Sequence, residues 1–198
     1  MMDAYEAITT RRSTRKFRAE DVPPEQLEQV LRAGRLAPCG GNSQTTHFLV
    51  IRNPKVLEEL AALARTAFAA MELQPGMYKS LQAAIKASKK GTFVFHYHAP
   101  VLIVAANKKG YGNAMADSAC AIENMMIMAN ALDLGSSWVN QLHWLDENAA
   151  VREYLQELGL AEDETVCASV VLGKPDTADG LPVRAERKVT GNPVNYVD

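Results

Sequence analysis

The stretch NAMADSACAIENMMIMANALDLGSSWVN, residues 113–140, decides the fold. Residues 113–134 hold the longest helical pattern in the chain, and apolar side chains occur on nearly every side of it. Such a helix is predicted to lie in the core of something thicker than a single thin layer. We expect Gly135 to cap this helix and residues 136–140 to form a short strand.

Three further strands are predicted from short apolar runs. PVLIVAA, residues 100–106, has the unbroken apolar character of a central strand, and the other two runs are residues 47–52 and 165–172. The remaining elements are helices, predicted over residues 3–10, 23–37, 53–73, 77–90 and 146–158. Helices outnumber strands without a regular strand–helix alternation, which favours an α+β fold over a doubly wound one.

The composition is that of an ordinary globular protein. Hydrophobic residues make up 47% of the 198 residues and charged residues 22%, which excludes extensive disorder, and the length predicts one domain over residues 1–198. The formal net charge of −2 argues against a dedicated nucleic-acid-binding protein. Three widely spaced cysteines, an acidic N-terminus and the lack of a long apolar run predict a cytoplasmic protein without a signal peptide or membrane span.

A basic segment directly after the first helix is the first candidate for chemistry. Five basic side chains lie within residues 11–18, together with the hydroxyl group of Ser13. Guanidinium groups bind phosphate oxygens bidentately, and a serine hydroxyl adds a donor. The alternative is a solvated basic patch, because runs of charge usually face water. A nucleic-acid interface is less favoured, since no second basic stripe or aromatic platform accompanies the segment.

Two loops next to predicted strands are the other candidates. APCGGNSQ, residues 37–44, combines two glycines, which let the backbone approach a ligand closely, with the amide side chains of Asn42 and Gln44. Such amides suit the edge of a heteroaromatic ring. GSSWVN, residues 135–140, lies where the long helix enters a strand. Each segment is also compatible with an ordinary connecting loop, and residues 37–44 lack the Gly-Lys-Ser/Thr ending of a phosphate-binding P-loop.

The histidines and carboxylates do not predict a metal or acid–base site. His96 and His98 lie two residues apart on a segment that we expect to be extended, and we interpret them as structural or pocket-lining residues. Asp117 and Glu123 are six residues apart on the long helix and do not share a face well. No side chain is therefore predicted to be catalytic.

Four segments, taken in order, resemble the nitroreductase-like family of FMN-dependent flavoproteins. They are Arg-Arg-Ser-x-Arg-x-Phe at 11–17, Ala-Pro-x-x-x-Asn-x-Gln at 37–44, the long helix and its following strand at 117–138, and Leu-Gly-Lys-Pro at 172–175. The resemblance covers essentially the whole chain. It implies a nitroreductase-like α+β fold, with a central mixed or antiparallel sheet flanked by helices, and a homodimer with FMN at the subunit interface. Residues 60–98 would then be a variable lid or pocket region, and the extended tail, residues 176–198, would pack on the partner subunit.

The resemblance also implies which residues bind the cofactor. Arg11 and Ser13, with Arg12 beside them, would contact the phosphate and ribityl chain, and Arg187 would add a phosphate contact from the tail. Arg15 would supply a cation near the N1/O2 edge of the flavin, where negative charge accumulates on reduction. The ring would be approached from two sides, by Cys39, Asn42 and Gln44 of the partner chain and by Trp138, Val139 and Asn140 near N5.

The implied function is that of an oxidoreductase in which NADH or NADPH reduces FMN at N5 by hydride transfer and a nitroaromatic, quinone or other small electrophile then reoxidises it, a ping-pong cycle. Two departures bear on the substrate: Cys39 stands where the family usually has serine, and Thr45–Thr46 where proline and an aromatic residue are common. Three alternatives remain. They are a specialised enzyme of the same family (a dehalogenase or flavin-destroying enzyme), an FMN storage or sensor protein without turnover, and a basic-patch adaptor that binds nucleic acid or acidic partners.

Overall fold

The computed structural model describes residues 2–185 and 189–197. These residues form seven α-helices and four β-strands, and most of these elements lie within a few residues of their predicted positions. The helices are α1 (Ala4–Thr10), α2 (Pro24–Arg35), α3 (Pro54–Ala69), α4 (Lys79–Lys89), α5 (Ala114–Ala131), α6 (Gln141–Trp144) and α7 (Ala149–Glu157). The strands are β1 (His47–Ile51), β2 (Val101–Lys108), β3 (Gly135–Val139) and β4 (Glu164–Gly173). The short helix α6 and a 3-10 turn at Gly40–Asn42 were not predicted.

The four strands form one sheet in the order β1-β2-β4-β3, and every neighbouring pair of these strands is antiparallel. The prediction of a mixed or antiparallel sheet is thereby narrowed to the antiparallel form. With helices packed on the sheet, the α+β architecture predicted from the sequence is confirmed.

Strand β2 is buried on both faces, as its unbroken apolar run predicts. Alternate residues enter two separate hydrophobic clusters because successive side chains of a strand point to opposite faces. Val101, Ile103 and Ala105 pack on the inner face of the sheet, which is the side of α2 and α5. Leu102 and Val104 pack in the outer cluster, on the outer face of the sheet, which is the side of α3, α4 and α7.

A bulge in β4 changes this alternation at one end of the sheet. Ala105 of β2 pairs with Ala168, but the next residue, Ala106, pairs with Val166, so Cys167 is the extra residue. An extra residue in one strand shifts which face the following side chains occupy. Val166 consequently packs in the cluster with Ala106, although its parity in the sequence would place it on the opposite face.

Helix α5 buries one stripe rather than its whole circumference. The buried residues recur at helical spacing and are Ala114, Asp117, Ser118, Ala121, Ile122, Met125, Met126, Ala129 and Asn130. On the opposite side, Met115 is 46% exposed, and Ala116 and Cys120 are also exposed. The predicted core helix is therefore buried along one stripe in the single chain, and part of its apolar surface is left uncovered.

The end of α5 corrects the role assigned to Gly135. The helix ends at Ala131, and Asp133 adopts the left-handed backbone conformation (φ 61°) that terminates it. The amide of Leu134 donates to the carbonyl of Ala129 at 2.8 Å, the pairing expected for this type of helix end. Gly135 is instead the first residue of β3. A Cβ atom there would lie 2.7 Å from the side chain of Thr14, so glycine permits a close approach of the chain.

The tail after β4 contacts the body of its own chain before it extends away. Arg18 donates to the carbonyl of Thr177, and Arg184 donates to the carbonyl of Asn130 at 2.7 Å and pairs with Asp133 at 2.6 Å. That the tail, residues 176–198, packs on a partner stays a prediction, and within residues 189–197 the side chains of Val189, Val194, Tyr196 and Val197 are exposed. No helix in the described part of the chain is long and apolar enough to cross a membrane.

The region 60–98, predicted as a lid or pocket region, consists mainly of α3 and α4. One face of α3 packs into the hydrophobic cluster on the outer side of the sheet through Leu57, Leu60, Ala64 and Phe68. The first part of this region thus contributes to the core, and a lid function for the rest stays a prediction.

Candidate functional site

The basic segment of residues 11–18 lies along the outer edge of β3. Ser13 forms an isolated bridge with Ser136, and the amide of Thr14 donates to the carbonyl of Ser136 at 2.8 Å. Further along, the amide of Arg18 donates to the carbonyl of Lys174 just after β4. These backbone bonds hold the segment in an extended path, so that its side chains project at fixed positions beside the sheet.

Two of the arginines in this segment have different surroundings. Arg12 donates through Nη1 to the carbonyls of Thr9 and Arg11, and its buried Nη2 has no partner among the described residues. Arg11 lies against α5, where its Nε is 3.7 Å from the Glu123 carboxylate. An unpartnered buried guanidinium nitrogen is costly, and an acceptor oxygen such as that of a phosphate would satisfy it.

Ser13 and Arg15 are both exposed. With Arg12, Lys16 and Asp176 they line a cavity of about 210 Å³ between the basic segment and the start of the tail. The basic segment therefore lines a concave surface with several positive charges, whereas a basic patch that only faces solvent needs no such cavity.

The second candidate, residues 37–44, forms a tight loop between α2 and β1. Asn42 and Gln44 both have left-handed backbone conformations (φ 53° and 49°), and both side chains are exposed. The amide group of Gln44 donates to the side-chain oxygen of Asn42 at 3.0 Å, and the backbone amide of Gln44 approaches the Cys39 sulfur at 3.4 Å. Cys39 is half-buried, so of the three predicted contact residues two present amides to solvent.

Asp117 and Tyr111 hold this loop in place. The Gly40 amide donates to Asp117 at 3.0 Å, and the Tyr111 hydroxyl contacts the other oxygen of Asp117 and the carbonyl of Gly40. From the sequence, Asp117 was considered only as a member of an acid–base pair, and Tyr111 was not identified as a functional residue. The available signal was an acidic residue in the first turn of a largely apolar helix, but the sequence does not show which loop it contacts.

The third candidate lies at the end of β3. Val139 is buried in the outer cluster, while Trp138 and Asn140 are half-buried and hydrogen-bond to each other through the indole nitrogen. The predicted strand at 136–140 is shifted by one residue, since β3 spans Gly135–Val139 and Asn140 follows it. Trp138 and Asn140 are therefore the two members of this group that a ligand could reach.

The basic segment and the loop at 37–44 contact the same helix at different places. Glu123 of α5 faces Arg11, and Asp117, six residues earlier, binds the loop. No hydrogen bond or ion pair connects the two segments to each other within residues 2–185 and 189–197. An open groove of about 810 Å³ between α2 and β1 adjoins the loop at Gln44. The basic segment and the loop at 37–44 are thus two separate candidate sites on one chain.

Arg187, predicted to bind phosphate, lies outside the described residues. Its neighbour Arg184 is bound to Asn130 and Asp133 and is occupied as an anchor of the tail. As for metals, no group of three or more His, Cys, Asp or Glu residues could hold an ion in the part of the chain that is described.

Comparisons with known proteins agree with this architecture. The family model described as "Nitroreductase family" matches residues 8–174. The crystal structure of a nitroreductase with bound FMN from Bacteroides fragilis NCTC 9343 is similar to this chain with a TM-score of 0.87 and 33% identity, and the match covers 100% of both chains.

Two relatives show the same similarity over most of their length. A protein of Archaeoglobus fulgidus with the provisional name NADH dehydrogenase/NAD(P)H nitroreductase is 29% identical over 175 residues, 88% of this chain and 87% of its own. A protein of Escherichia coli K12 with the provisional name NAD(P)H nitroreductase is 30% identical over 181 residues, 88% of this chain and 89% of its own. The resemblance seen in the four sequence segments, and the fold that it implied, are confirmed.

We expect Asp117→Ala to loosen the loop at 37–44, because the Gly40 amide and the Tyr111 hydroxyl lose their common acceptor. Loss of one hydrogen bond to a charged group costs about 1.5–3 kcal/mol, and because two such bonds are lost the free energy of unfolding should fall by at least that amount. Hydrogen exchange should show the Gly40 amide losing more protection than amides of the sheet. Glu123→Ala, on the same helix but away from the loop, is the control. Equal Gly40 protection in the two variants would contradict the anchoring role.

Proposed function

Because the chain belongs to the nitroreductase family, we propose that it is an FMN-dependent oxidoreductase that uses NADH or NADPH to reduce a small electrophilic acceptor. The observation that carries the proposal is the full-length similarity to a nitroreductase whose crystal structure contains FMN. The basic segment of this chain supports it independently, because the segment offers the donors that a phosphate-bearing cofactor needs.

The residues present are chemically suited to FMN. Among the described residues, the buried Nη2 of Arg12 has no hydrogen-bond partner, and the next residue, Ser13, is exposed. In the proposed site Arg11, Arg12 and Ser13 hold the phosphate and ribityl chain, and Arg187 of the tail adds a phosphate contact. Arg15 supplies the cation at the N1/O2 edge. A fixed positive charge there lowers the cost of adding electrons to the ring.

The isoalloxazine ring would be held by amides and by the end of β3. Asn42 and Gln44 present exposed amide groups, and Cys39 lies half-buried beneath them. On the other side Trp138, Val139 and Asn140 would line the region near N5. When bound, FMN supplies two-electron redox chemistry in a ping-pong cycle between NADH or NADPH and a nitroaromatic, quinone or similar acceptor. The contribution of the chain is to position the cofactor and stabilise charge.

We propose that the functional form is a homodimer in which the loop at 37–44 serves the partner's site. In one chain the two parts of the proposed cofactor site, the basic segment and the loop at 37–44, contact α5 at different places. The same chain leaves an apolar side of that helix uncovered at Met115, Ala116 and Cys120. Contiguous exposed apolar surface is typical of protein–protein interaction sites. A second copy packed on this side would cover the helix and bring one chain's loop towards the other's arginines.

The test of the function is an anaerobic visible spectrum of the purified protein, taken before and after NADH and then NADPH are added. We expect an oxidised-flavin band that one of the two donors bleaches and that a nitroaromatic or quinone restores. A band that neither donor bleaches would favour FMN storage or sensing over turnover. The absence of a band after incubation with excess FMN would overturn the assignment of the cofactor.

Arg11→Ala should weaken FMN binding about 10- to 150-fold, because it removes a charge-assisted contact worth about 1.5–3 kcal/mol. Fluorescence titration of the apoprotein with FMN measures the change. Lys86→Ala removes an equal charge from an exposed position of α4 and should leave the affinity unchanged. Equal affinities for FMN in the two variants would place the phosphate elsewhere.

Ala116→Glu should convert the dimer into monomers and abolish tight FMN binding, because it places a charge in the proposed interface. Ala150→Glu is the matched control, since Ala150 is also exposed and also lies in the first turn of a helix, α7. Sedimentation analysis gives the oligomeric state and flavin absorbance gives the occupancy. A monomeric Ala116→Glu protein with unchanged FMN affinity would refute the contribution of the partner's loop.

A further inference from the structure

A second cavity lies at the opposite end of β1 from the loop at 37–44. Its volume is about 490 Å³, and it is enclosed by the first half of α3, the residue after β1 and the segment that precedes β2. Strand β1 is five residues long, so the cavity is roughly 16 Å along the sheet from that loop. None of the residues assigned above to FMN lines it.

The cavity combines apolar walls with two arginines. The walls are formed by Ala19, Pro54, Leu57, Ala61, Val94, Ala99 and Pro100. Arg52 and Arg65 also line it, and neither forms an ion pair within 4.0 Å among the residues described. Arg65 makes one long contact, 3.4 Å, to the carbonyl of Phe93. Both guanidinium groups therefore keep donors for a ligand.

His96 provides a buried polar atom in the same cavity. Its residue is only 6% exposed, and its Nδ1 has no hydrogen-bond partner in the structure as described. Burial, together with the neighbouring His98, lowers the pKa of His96 to about 4, so the ring is neutral near pH 7. A neutral imidazole can carry its proton on Nδ1 and donate it to an acceptor.

The sequence predicted an extended segment around His96, and this prediction is wrong, because the chain forms a turn there. Tyr97 and His98 both have left-handed backbone conformations (φ 54° and 57°), and the amide of Ala99 donates to the carbonyl of His96 at 2.9 Å. Left-handed conformations are unfavourable for such residues and persist where surrounding contacts impose them. The turn brings His96 into the wall of the cavity, which residues of α3 also line.

The N-terminal turn of α3 adds a favourable field. Pro54, Leu57 and Glu58 of this sixteen-residue helix all line the cavity, so the positive end of the helix dipole lies at its side. Asp21 and Glu58 are exposed and also line the cavity. These solvated carboxylates would repel a doubly charged anion more strongly than a singly charged one.

We propose that this cavity binds a small organic monocarboxylate with an apolar body. The carboxylate would accept hydrogen bonds from Arg52, Arg65 and the Nδ1–H of His96, while the apolar part would lie against Pro54, Leu57 and the other wall residues. Such a site is separate from the proposed redox centre and does not depend on the presence of FMN.

The test uses three probes on the full-length protein, with FMN added. 3-Phenylpropionate carries a carboxylate on an apolar body, and phenethylamine carries an ammonium group on a similar body. Inorganic phosphate is a small anion that has no apolar body. NMR titration of the histidine ring signals should show saturable binding of 3-phenylpropionate, at least tenfold tighter than that of phenethylamine, and no competition by phosphate. Equal or tighter binding of phenethylamine, competition by phosphate, or no binding of 3-phenylpropionate would each overturn the proposal.

Variants locate the binding. Arg65→Gln and Arg52→Gln should each weaken 3-phenylpropionate at least tenfold without changing FMN affinity, and His96→Gln should weaken it as well. Lys55→Gln removes a charge from the N-terminal turn of α3, at a position that does not line the cavity, and should leave the affinity unchanged. Unchanged binding in both arginine variants, which do not disturb the core, would refute the site even if His96→Gln failed to fold.

Discussion

The packing of α5 against the sheet is the constraint on which the other parts of the molecule depend. Its buried stripe joins α2 to the inner face of β2 and β4 in one hydrophobic cluster. The same helix carries three polar anchors: Asp117 for the loop at 37–44, Glu123 beside Arg11, and Asn130 for the end of α1. Asp117 and Asn130 are about 20 Å apart along the helix axis, so one rigid element spaces these segments.

The apolar pattern of the sequence was sufficient to predict most of this framework. Burial of apolar surface is the main driving force of folding, and its periodicity is visible in the chain. The run at 100–106 predicted a central strand, and β2 is buried on both faces. The order and spacing of four segments then identified the family. Ends of elements were less accurate, as at α5, where Asp133 rather than Gly135 terminates the helix.

The contacts that shape the two candidate sites could not be predicted in the same way. The bond from Gly40 to Asp117 joins residues 77 positions apart, and no local pattern encodes such a partner. The bulge at Cys167 likewise depends on how two strands pair rather than on either strand alone. The turn at Tyr97 and His98 contradicts the intrinsic preferences of both residues, so tertiary contacts decide it. Polar and strained features therefore had to come from the structure.

The exposed apolar residues of α5 and the carboxylate that faces Arg11 lie on one side of the helix. Ala116, Cys120 and Glu123 recur at helical spacing, so the uncovered apolar face and the carboxylate beside Arg11 are adjacent. The loop at 37–44 is tied to the same helix one residue further on, at Asp117. A surface that covers this face of α5 therefore also lies beside the carboxylate that faces Arg11, and Asp117, about 100° round the helix from Ala116, places the loop at the border of the buried stripe. In the proposed dimer, burial of apolar area and assembly of the cofactor site are consequently one event, and affinity for FMN depends on subunit association as well as on the arginines themselves.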